Sequence, residues 1–66
     1  MSYTETIKKV RSLVKGSMED LIDASMEVAR YSQEHPNEKR PFFDSLLELI
    51  GGCLFKIKKL LNKLEE

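Results

Sequence analysis

Apolar residues in the last third of the chain fall on a heptad row. Phe43, Leu46, Ile50, Cys53, Ile57, Leu60 and Leu64 alternate spacings of three and four, and Leu47, Leu54 and Leu61 repeat every seven residues beside them. One row alone marks a coiled-coil strand, whereas two rows give a helix an apolar face too wide for a single neighbour to cover. The pattern predicts a helix from Pro41 or Phe42 to about Leu64, with Asp44 and Glu48 near its start and Lys56, Lys58, Lys59 and Lys63 near its end. That charge order complements the helix dipole. Gly51-Gly52 falls opposite the main row and reads as a soft spot on the exposed side.

The same spacing runs through Tyr3, Ile7, Val10, Val14, Ser17, Leu21, Ala24, Val28 and Tyr31, with Leu13, Met18, Ile22 and Ala29 widening the face. It predicts a first helix over about 3–34, opened by Ser2 and Glu5 as a capping box. Gly16-Ser17 interrupts the composition but not the phase, so a continuous helix, bent at that point, is expected there. Residues 35–41 are the one stretch without helical periodicity. Pro36 biases His35 away from helical angles, and Pro41 suits the first turn of a new helix. No segment alternates at period two, so strands are not expected.

Residues 1–66 therefore read as a single all-α domain, two helices folded back as an antiparallel hairpin. The expected register brings Glu19, Asp20 and Asp23 toward Lys56, Lys58 and Lys59, and Arg30 toward Asp44 and Glu48. The first helix is the longer, so residues up to about Arg11 are expected to overhang. The overhang leaves Tyr3, Ile7 and Val10 uncovered, and the second row of the C-terminal helix leaves Leu47, Leu54 and Leu61 uncovered. These six residues are the expected self-association surface of a homodimeric four-helix bundle. A break at Gly16-Ser17 would give a monomeric three-helix bundle instead.

Composition narrows the function classes. Eleven basic and eleven acidic side chains cancel over 66 residues, so no global field drives nucleic-acid binding. A chain this short buries a marginal core and usually leans on disulfides, a metal or assembly. Cys53 is the only cysteine and His35 the only histidine, which excludes an internal disulfide and leaves too few ligands for a structural zinc. No apolar run reaches the roughly 18 residues of a membrane span, and the N-terminal residues lack a signal-peptide pattern, so a cytoplasmic protein is expected.

No catalytic constellation is visible. His35 reads as a helix-end residue, Cys53 as a small apolar seam residue, and Glu19, Asp20, Asp23 and Glu27 as a solvated face. There is no phosphate-binding glycine loop, so no enzyme, cofactor or small-molecule substrate is implied. The basic clusters Lys8, Lys9, Arg11 and Lys15, and Lys56, Lys59 and Lys63, with the outward-pointing Phe55, are the candidate partner-binding residues. The chain is expected to be a non-enzymatic interaction protein, an adaptor or regulator with a protein partner. Two alternatives are a peripheral membrane binder using the cationic amphipathic stretch Cys53–Leu64, and a nonspecific nucleic-acid binder using the positive end.

Overall fold

The computed structural model describes residues Ser2–Glu65, which form two helices, α1 (Tyr3–Glu34) and α2 (Pro41–Leu64), with no strand among them. Ser2 caps α1: its Oγ accepts from the Glu5 N–H at 3.2 Å, satisfying one of the free donors of the first turn. α1 passes through Gly16-Ser17 as one uninterrupted helix, which removes the three-helix alternative. A single helix position without a side chain costs only about 1 kcal/mol, less than losing the phase of the apolar row.

The reversal is a tight turn in which the Glu38 N–H donates to the His35 carbonyl at 3.0 Å, with Pro36 at the position its ring favours. His35 has left helical angles (φ −128°, ψ 62°) while its N–H still donates to the Tyr31 carbonyl. Pro41 then opens α2 at N1. Tyr31 packs edge-on to Phe43 at 5.4 Å between ring centroids, joining the two helices next to the turn.

At the other end, Arg11 Nη2 donates to the Leu64 carbonyl at 2.8 Å. These two pairs set the register, placing α2 about two to three residues further along α1, toward its N-terminus, than the sequence predicts. Ile7 is half-buried as a result and the true overhang is shorter, although Tyr3 stays 82% exposed.

The helices are rotated from the expected phase. The α1 residues turned inward are Ile7, Arg11, Val14, Met18, Leu21, Ser25 and Val28, so Arg11, Met18 and Ser25 replace Val10, Ser17 and Ala24 in the contact. On α2 the covered set is Phe43, Leu47, Ile50, Leu54, Ile57, Leu61 and Leu64, with Leu46 half-buried beside them. Leu47, Leu54 and Leu61, expected to face a second copy, thus face the chain's own α1, and Leu61 is one of two buried side chains among the described residues, at 8% exposure beside Ile50 at 7%. The physical reason is side-chain size. A hairpin must choose one flank of the shared row, and three leucines bury more apolar area than Leu46, Cys53 and Leu60.

The expected cross-helix ion pairs do not form either. Among the described residues the ion pairs are Arg30 with Glu27 on α1 and Arg40 with Glu38 in the turn. The α1 acids and α2 lysines stand too far out on their helices to meet within one chain.

Candidate interaction surface

The result is a rod with principal extents of 54 × 16 × 13 Å and a radius of gyration of 15.7 Å, where a globular chain of this length has about 11 Å. Its accessible surface is 5573 Å², about 1,300 Å² more than the roughly 4,300 Å² typical of a folded 7.6 kDa monomer. Fully burying one leucine stabilises by about 1.5–3 kcal/mol. Two buried side chains are a thin return for ordering two helices.

The exposed apolar surface is unevenly placed. Val10, Ser17 and Ala24 each precede an inward residue of α1, and Leu46, Cys53 and Leu60 each precede an inward leucine of α2. In an antiparallel pair of right-handed helices, residues that precede the contact row lie on the same side of the pair. All six therefore share one broad face. Its rims carry Leu13 (72% exposed) and Asp20 on α1, and Phe42 (70%), Leu49 (68%) and Lys56 on α2. The opposite broad face holds Lys8, Lys15, Asp44 and Lys58 among its near-contact positions, with Ile22 and Ala29 between them. One face is apolar and the other is mostly charged.

Of the residues predicted for self-association, only Tyr3 and Val10 lie exposed. The spacing places Leu60 in the seam, whereas it lies 45% exposed. The signal was available in a further heptad row, Phe42, Leu46, Leu49, Cys53, Lys56, Leu60 and Lys63, which spans this flank of α2.

The basic candidates separate into four places. Lys8, Arg11 and Lys63 come together with Tyr3, Ile7 and Leu64 around an open cleft of about 500 Å³ at the end remote from the turn. Arg11 is half-buried there, and its guanidinium is spent on the Leu64 carbonyl rather than offered to a partner. Lys59 instead lies over the Phe55 ring, 4.6 Å from its centroid, so the outward phenylalanine is partly shielded by its own helix. Lys56 lines a shallow depression with Leu49, Gly52 and Cys53. Lys9 and Lys15 are exposed on α1.

The turn carries two perturbed titrating groups, Glu38 and Arg40. Tyr31 Oη donates to Glu38 Oε2 at 2.9 Å and Arg40 pairs with the other carboxylate oxygen. The Tyr31 hydroxyl first, then the Arg40 guanidinium, hold the Glu38 carboxyl below its ordinary value. His35 stacks on Tyr31 at 4.1 Å with its Nδ1 3.0 Å from the Tyr31 carbonyl, a helix-end role. Cys53 is exposed rather than in the intrachain seam. Among the described residues no three His, Cys, Asp or Glu side chains gather as metal ligands, and no helix is long and apolar enough to cross a membrane.

The chain was compared with models of known protein families, with curated proteins and with solved structures, and none of the three comparisons finds a match.

Proposed function

We propose that this chain is a non-enzymatic helical interaction protein: a hairpin that self-associates into a four-helix bundle and acts as an adaptor or regulator by binding another macromolecule through the bundle's surface. The observation that carries the reading is the mismatch between core and surface, two buried side chains against an apolar face running the length of the hairpin. Such a face is commonly a protein contact. The lone cysteine suits a reducing compartment such as the cytoplasm.

The membrane alternative draws on Leu54, Ile57, Leu61 and Leu64, all turned toward α1, so lipid binding through them would require opening the hairpin. The nucleic-acid alternative keeps Lys8 and Lys63 at the open end but loses Arg11 to its capping bond.

Affinity capture from the native host, with parallel liposome flotation, tests the proposal. A discrete protein retained at moderate salt is expected. Flotation with anionic vesicles, or recovery only of nucleic acid that is lost as salt rises, would replace it.

A further inference from the structure

We infer that the apolar broad face is covered by a second copy of this chain related by a two-fold axis parallel to the helices, so that both turns lie at the same end and each α1 packs against the partner's α2. The inference rests on the self-association reading and adds the face and the orientation.

Two observations carry it. The first is area. An excess of about 1,300 Å² on each chain, taken over two copies, exceeds the roughly 1,200–2,000 Å² that a standard stable interface buries in total. The second is charge. Arg11 meets Leu64 and Tyr31 meets Phe43, so Asp20 stands level with Leu54 and Phe55, within one or two residues of Lys56. Asp20 and Lys56 occupy opposite rims of the apolar face, and neither has an ion-pair partner among the described residues.

A two-fold axis along the helices keeps heights and exchanges rims, which sets Asp20 of each copy against Lys56 of the other, twice. Every helix then has antiparallel neighbours, as in up-and-down bundles. The competing arrangement, a two-fold axis across the helices, stacks α1 on α1 with the acids of both copies gathered at the centre. Asp20 of one copy then falls close to Asp20 of the other, because the axis crosses near the middle of α1, and the contact is like-charged. Exposed pairs add little affinity, but they discriminate between orientations.

The experiment places a spin label at Lys39→Cys in a Cys53→Ser background, with distances measured by pulsed electron resonance and mass by sedimentation on the same sample. A dimer with labels about 20 Å apart is expected, since bundle helices lie about 10 Å from their neighbours. A dimer with labels more than about 40 Å apart, the separation the 1.5 Å rise gives for turns at opposite ends, overturns the orientation while leaving self-association standing. A monomer at micromolar concentration overturns both.

Charge exchange supplies a second reading on exposed positions that do not touch the hairpin core. Asp20→Lys should weaken dimerisation at low salt by several-fold, and adding Lys56→Asp should restore it. A double variant no better than the single one counts against the paired rims.

Discussion

Arg11 closes the open end of the hairpin by donating from Nη2 to the backbone carbonyl of Leu64, across 53 positions of sequence. That carbonyl is one of the last-turn acceptors a helix leaves without an internal partner. A cation there also meets the negative end of the α2 dipole. The bond costs something, because Arg11 Nε is buried with no hydrogen-bond partner.

Arg11→Ala should therefore lower stability by about 1–2 kcal/mol, read as a shift in urea midpoint without a change in slope. Arg11→Met should cost less, since it keeps the apolar stem and removes the unpaired Nε together with the cap. Faster amide exchange confined to the last turn of α2 would accompany both.

Leu61 and Leu60 are adjacent in sequence and turned to different partners. Leu61→Ala hollows the hairpin's own core and should cost about 2–4 kcal/mol, enough to remove most of the helical circular dichroism signal. Leu60→Ala should keep that signal in concentrated samples and make the melting temperature depend more steeply on concentration. Equal losses from the two variants would contradict the division of the α2 leucines between an inner and an outer seam.

A Cβ at Gly51 or Gly52 would meet open space, with no atom within 4 Å. Gly51→Ala and Gly52→Ala should each stabilise by about 0.5–1 kcal/mol through helix propensity, as neither lies on the face assigned to the second copy. A loss of helicity or of assembly on either change would show that another backbone rests against the pair.

The turn predicts an acid-side pH dependence. Glu38 is held below its ordinary value near 4.5 by the Tyr31 hydroxyl and the Arg40 guanidinium. Its folded value lies below the unfolded one, so its contribution is fully present above the unfolded value and fades as pH falls through the folded one. Carbon-detected NMR titration of the Glu38 carboxyl should give a midpoint under 4.5. Tyr31→Phe should raise that midpoint, and Glu38→Gln should flatten the matching part of the stability curve.

Helix extents, the turn and the Ser2 cap of α1 were legible in the residues, because Ser2, Pro36 and Pro41 act locally and the three-four spacing is continuous on either side of them. The rotation of the helices was not. The row Phe43, Ile50, Ile57 and Leu64 belongs equally to two candidate seams, and periodicity cannot say which flank turns inward. Side-chain volume decides it in favour of Leu47, Leu54 and Leu61, and the antiparallel geometry then forces α1 to offer Arg11, Met18 and Ser25. Arg11 was read as surface charge because its partner is a backbone carbonyl, invisible in a list of side chains. Of the six residues expected on the uncovered face, Ile7, Leu47, Leu54 and Leu61 turn inward, while Tyr3 and Val10 stay exposed.

The central claim is that this surplus is covered by a second copy. Sedimentation equilibrium of the unmodified chain across the micromolar range tests it most directly. A species of twice the 7.6 kDa chain mass that dissociates on dilution or with Leu60→Lys is expected. A mass of 7.6 kDa at every concentration, with helicity intact, would contradict it.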